Sequence, residues 1–215
     1  MKAFAVFAVW ATILTATASS APHELRHSTK AAPMTNSVVY AASLFAPPAL
    51  IRTTAAGWAG SQYLKTRYHW LQLVYRGEDA ARGGGMSIIS APGTKQSAAT
   101  TVQLLHTVRA SSPQVGIKVG SVTDVTLHGY PAKQFGGNVT GPEGHTFVPF
   151  SGKSSGSSEA AGDHFKLLHN DLFRIIVTTI KGTPVVFFLD AGGAPKLNAE
   201  FLRESTRIIN AMRFT

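Results

Sequence analysis

The chain has 215 residues, with 20 Lys and Arg against 11 Asp and Glu, a formal charge of +9, and no cysteine. The absence of cysteine excludes disulfides, thiolate metal sites, cysteine nucleophiles and lipid anchoring by acylation, so the fold must be held by its core. The positive balance favours acidic partners such as anionic cell-surface polymers; nucleic acid is disfavoured, because charged residues are only 14% of the chain and no consecutive Lys or Arg occurs.

Met1-Lys2, an apolar run from Ala3 to Leu14 and small residues through Ala21 read as a secretory signal peptide over residues 1–20. Ala16-Thr17-Ala18 supplies an A-x-A site, with cleavage before Ser19 or before Ala21. The apolar run falls short of the roughly 20 residues that span a bilayer. No later segment is long or apolar enough, so an exported chain without a transmembrane segment is expected.

Residues 21–37 contain His23-Glu24-Leu25-Arg26-His27, the H-E-x-x-H order of zinc hydrolases. That chemistry needs both histidines on one helical face, with the glutamate over a metal-bound water. Leu25 and Met34 are the only sizeable apolar residues between Ala21 and Asn36, and Pro33 would end a helix early. Lys30 and Pro33 stand where an extended zinc motif would have glycine and histidine. A flexible N-terminal segment without metal ligands is the expectation. Copper capture by an Ala21-Pro22-His23 terminus fails too, because Pro22 has no N–H to lose.

From Val38 the pattern is of strands with two helices. Val38 to Thr54 is β-branched and aromatic but broken by Pro47-Pro48, which predicts an irregular edge strand. Trp58 falls in a glycine-rich turn. The stretch "YLKTRYHW", Tyr63 to Trp70, mixes basic and aromatic residues as base stacking would require, but it also begins an ordinary strand. His69 to Tyr75 alternates, with Leu71, Leu73 and Tyr75 on one face, and Met86 to Ser90 forms another strand. Thr94 or Ser97 caps a helix to about Arg109, with Ala98, Val102, Leu105 and Val108 at helical spacing. Ser111-Ser112-Pro113 stops it.

The second half reads as a meander. Val115 to Val119, Val125 to Leu127, Ala132 to Val139, His145 to Phe150 and Phe165 to Leu168 are strands, with Gly129 to Pro131 turning the chain. Leu172 to Lys181 is apolar on both faces and predicts a central strand. Gly182-Thr183 suits a hairpin turn into Val185 to Leu189. A last helix from Pro195 or Asn198 carries Phe201, Ser205, Ile208 and Met212 on one stripe, flanked by Leu202 and Ile209. The fold class is therefore α+β: a twisted, mostly antiparallel sheet with two main helices, as a single domain over residues 38–215.

Other short motifs dissolve on inspection. "SGKSSGSS", Ser151 to Ser158, lacks the upstream glycine of a phosphate loop, where Phe147 stands instead. "RGGGM", Arg82 to Met86, reads as a loop before a strand. Asn138-Val139-Thr140 is a glycosylation sequon, and no G-x-S-x-G elbow is present. No residue is assigned a catalytic, cofactor-binding or metal-ligating role, and no cofactor is expected.

The hairpin "VTDVTLHGYPAKQFGG" and the ending "FRIIVTTIKGTPVVFFLD…FLRESTRIINAMRF" resemble the PsbP-like α/β/α sandwich, as in exported actinobacterial proteins of the LpqN type. The shared features are a Gly-x-Pro-Ala turn and a final helix with an I-x-x-x-x-F tail, Ile209 to Phe214. The chain departs from those lipoproteins in having no lipobox cysteine. The resemblance implies a non-catalytic accessory or binding domain and carries over no functional residue. Two alternatives stand beside it. One is a secreted hydrolase, zinc-dependent through the HELRH segment or using residues brought together by folding. The other is a basic cell-envelope protein that binds anionic surface polymers.

Overall fold

A computed structural model describes residues 21–65, 67–76, 83–107, 116–142, 145–150, 165–192 and 195–215. The signal-peptide assignment, the serine-glycine stretch and the C-terminal end of the first expected helix lie outside the described residues. In chain order the strands are β1 (His23–Glu24), β2 (Ala32–Pro33), β3 (Val39–Ala42), β4 (Ala49–Arg52), β5 (Trp58–Lys65), β6 (Tyr68–Tyr75) and β7 (Gly84–Ser90). Helix α1 (Ala98–Thr107) follows, then β8 (Ile117–Val119), β9 (Thr123–Leu127), β10 (Tyr130–Val139), β11 (His145–Phe147), β12 (Phe165–Leu167), β13 (Leu172–Ile180) and β14 (Thr183–Ala191). Helix α2 (Pro195–Ala211) and β15 (Arg213–Phe214) close the chain.

The large sheet runs β2-β5-β6-β7-β14-β13-β10-β8, with β9 also paired to β10. A small sheet runs β1-β3-β4-β15, and β11 pairs with β12 as a separate ribbon. Among the named strands every ladder is antiparallel except β1 with β3. The class is α+β with strands predominating, more sheet-rich than two helices on one sheet would suggest.

Alternation along the strands builds two cores on opposite faces of the large sheet. On one face Leu71, Leu73, Met86, Ile88, Phe187 and Leu189 meet α2 and the small sheet through Phe201, Ile208 and Ile51. On the other, Trp70, Ile89, Ile175, Val177, Val186 and Phe188 meet α1 through Val102 and Leu105, together with Phe147 and Phe165. The central position expected for the Leu172 strand follows from this double burial, since β13 lies between β14 and β10. Ser97 starts α1: the Thr100 N–H donates to its Oγ at 3.1 Å.

Four expectations change. Val38 to Thr54 is a hairpin rather than one irregular strand, because Pro47-Pro48 falls between β3 and β4 and reverses the chain into the small sheet. Trp58 does not sit in a turn; it opens β5 and is buried against Tyr75 and Phe201, at centroid distances of 4.9 and 6.0 Å. The hairpin turns fall one residue early, at His128-Gly129 and Lys181-Gly182, where both residues hold positive φ as a two-residue turn requires. Residues 21–37, expected as a flexible segment, are built onto the body of the molecule. Leu25 and Met34 are buried there, over Gly60. A Cβ on Gly60 would come within 2.7 Å of the Met34 sulfur and 3.0 Å of Leu25, so the missing side chain makes the socket. Two apolar residues suffice to anchor the segment because a glycine receives them.

The "RGGGM" glycines are likewise packing residues, and β7 begins inside them. Gly84 lies beneath the Phe201 ring, where a Cβ would approach ring carbons to 2.4–2.6 Å. Phe201 is fully buried and cannot retreat. Gly84→Ala should therefore destabilise by about 1–3 kcal/mol through overpacking. Thermal denaturation should read this as a fall of about 2–4 °C per kcal/mol.

Candidate functional site

The HELRH segment is extended, not helical. His23 and Glu24 pair with Tyr40 and Ala41 of β3, and His27 bridges to Gln62 of β5. Four residues of extended chain separate the two histidines by about 13 Å, too far for one ion to be gripped as on a helical face. His23 instead rests against Tyr40, at 6.0 Å between centroids. The Glu24 carboxylate accepts from the Ser43 N–H at 3.2 Å, the Ser43 hydroxyl at 2.6 Å and the Gln62 amide, and faces His27 Nε2 at 3.1 Å. Burial pushes the Glu24 carboxyl up, but the hydrogen bonds from Ser43, His27 and Gln62 outweigh it and hold the group below its ordinary range.

Gln62 is the centre of this network. Its amide also donates to the Leu25 carbonyl at 3.1 Å, its side-chain oxygen accepts from the Leu44 N–H at 2.8 Å, and its backbone N–H donates to Arg26 at 2.9 Å. Folding thus gathers a serine, a glutamate and a histidine, but the carboxylate sits in the middle. In the serine-histidine-acid template the imidazole is the hydroxyl's immediate neighbour, with the carboxylate behind. Here the neighbour is a carboxylate held below its ordinary range, a poor proton acceptor. The order here ties the small sheet to the large one and does not prepare a nucleophile. Elsewhere His69, His106 and His169 each engage a backbone carbonyl, of Leu44, Gly120 and Gly141. Among the described residues no three His, Asp or Glu side chains are placed to hold a metal.

A different site emerges on the α1 face of the large sheet, beyond the part that α1 covers. A cleft of about 410 Å³ has Gln72, Ser87 and Asp190 in its lining, with Phe165 and residues 29–31 at its walls. Asp190 ends the apolar run of β14, opposite Gly85 of β7 and Phe173 of β13. The Gly85 N–H donates to Asp190 Oδ1 at 2.9 Å. A Cβ on Gly85 would stand 2.7 Å from that oxygen, so successive glycines serve opposite faces: Gly84 admits Phe201 and Gly85 admits the carboxyl.

Burial drives the Asp190 carboxyl up to about 7, and the charge of Asp171 adds to it; hydrogen bonds from the backbone of Gly85 and of Asp190 itself offset only part. Asp171 is raised as well, chiefly by burial, against the N–H that Leu168 donates to it. A carboxyl poised near 7 exchanges between donor and acceptor at neutral pH. Strongly raised carboxyls in clefts are candidates for functional sites on that ground. No sequence pattern assigned Asp190; the readable signals were an acid closing an apolar strand and a glycine run that no turn required.

Two predictions follow from this geometry. Leu25→Ala should cost about 2–4 kcal/mol by urea denaturation, whereas His23→Ala should change stability little and chelation should leave the melting temperature unmoved. For Asp190 the folded pKa lies above the unfolded value near 4. Its contribution is fully present below about pH 4 and is lost as pH rises through about 7. Asp190→Asn keeps an acceptor for Gly85 and should melt higher than the parent at pH 8, by roughly 1–3 kcal/mol, with the margin shrinking toward pH 5.

Comparison with protein-family models, with curated proteins and with solved structures finds no match for this chain.

Proposed function

We propose that the protein is a secreted, non-catalytic binding or accessory domain of the PsbP-like type, which holds a small polar ligand in the Asp190 cleft. The leader over residues 1–20 supports export. The observation that carries the reading is the chemistry of the cleft, where an amide, a hydroxyl and a carboxyl near neutrality converge from three adjacent strands. Such a surface offers donors and acceptors on the sheet, with Lys30 at its wall, which suits a polar, hydrogen-bonding ligand beside Phe165. The Ser43, Glu24 and His27 arrangement supports a non-catalytic role, since its order activates no hydroxyl.

The test is an amide NMR titration of the mature protein with a panel of neutral saccharides, polyols and amino acids. The expected outcome is saturable shifts centred on Gln72, Ser87 and Asp190 for at least one class, lost in Gly85→Val, which displaces the carboxyl. Steady turnover of a peptide, ester or glycan by the pure protein would overturn the reading, as would shifts that bypass these three residues.

A further inference from the structure

A second groove, of about 710 Å³, lies where the small sheet meets the end of α2, and it shares no residue with the Asp190 cleft. Register fixes its walls. Leu50 pairs with Arg213 across β4 and β15, and Val39 pairs with Arg52 across β3 and β4. Cross-strand partners stand on the same face of a sheet, as do residues two apart on one strand. Val39, Leu50, Arg52 and Arg213 therefore share one face, opposite the one through which Ala42, Ala49 and Ile51 enter the core.

This face is unusual in its charges. Arg52 and Arg213 are both exposed, and neither pairs with a carboxylate among the described residues. No Asp or Glu lines the groove. Two acids of the elements that build the groove are engaged elsewhere: Glu24 of the small sheet by Ser43, Gln62 and His27, and Glu204 of α2 by Arg203 and Arg207. The end of α2 contributes a negative pole of about half a charge, part of which is met where the Met212 N–H donates to the Ile208 and Ile209 carbonyls. Two full guanidinium charges outweigh it.

The two arginines sit diagonally across adjacent strands, about 7–8 Å apart at their base. Side chains of that length converge on one anion, and the planar fork of guanidinium suits carboxylate or phosphate. Leu50 neighbours both arginines, and together with Val39 it gives the groove a half-buried apolar floor. We infer that this groove binds an anionic amphiphile, with a carboxylate or phosphate head between Arg52 and Arg213 and an apolar body over Leu50 and Val39. The site stands independently of the ligand assigned to the Asp190 cleft.

The experiment is isothermal titration of the mature protein with decanoate and with decyl phosphate below micellar concentrations. Acetate and inorganic phosphate serve as heads without bodies, and decyltrimethylammonium as a body with the opposite charge. At least one of the two anionic amphiphiles should bind with one-to-one stoichiometry, and which one does so identifies the head group. Acetate, inorganic phosphate and decyltrimethylammonium should each bind at least tenfold more weakly. R52Q/R213Q should lose at least tenfold in affinity, while K95Q/K118Q, which removes the same charge from exposed sites elsewhere, should not. Far-UV circular dichroism checks that both variants keep the fold. Equal binding of decyltrimethylammonium, equal loss in both double variants, or unchanged affinity in R52Q/R213Q would overturn the assignment.

Discussion

The ladder between β13 and β14 is the constraint on which the molecule rests. Nine residue pairs join these strands from Leu172 with Ala191 to Ile180 with Thr183, and both faces of the ladder are covered. Without cysteine, no crosslink relieves the sheet of holding two cores at once. Val185, Phe187 and Leu189 point into one core, and Val186 and Phe188 into the other. Each helix then has a prepared surface, and the small sheet docks on what α2 leaves uncovered. Burial on this scale, at about 25 cal/mol per Å² of apolar surface, dominates over any single hydrogen bond in the chain.

That same double burial is why the centre of the fold could be read from its residues. Ile175, Ile176 and Val177 are apolar in succession, which only a strand covered on both faces tolerates. The stripe of Phe201, Ser205, Ile208 and Met212 has helical spacing and faces the core as written. The rim was less legible for physical reasons. A two-residue strand such as β1 has no period, and the apolar residue that follows it, Leu25, finds its place through Gly60, 35 positions later in the sequence. The turns at His128 and Lys181 slipped because non-glycine residues hold left-handed backbone there, where glycine is the stronger signal.

The two proposed binding surfaces differ in how far the sequence announces them. Asp190 is one acid after a run of apolar residues, and its significance depends on Gly85 and Asp171 coming alongside it in space. The Arg52 and Arg213 face depends on a β15 of only two residues pairing back to β4. Neither spacing repeats a motif, because each site is made by register between distant strands. The conspicuous motif, HELRH, is a fastening: its glutamate accepts hydrogen bonds from Ser43 and from Gln62 of the large sheet.

The placement of that fastening has a further consequence. Residues 21–34 supply one edge strand to each of the two larger sheets, β1 beside β3 and β2 beside β5. Exposed strand edges are templates on which foreign chains can stack, and proteins blunt them with brief, proline-bearing terminal strands. Each of these strands is two residues long, with Pro22 before one and Pro33 ending the other. A segment that contributes one leucine and one methionine to the interior thus also acts as a hem, leaving little ladder for self-association to extend.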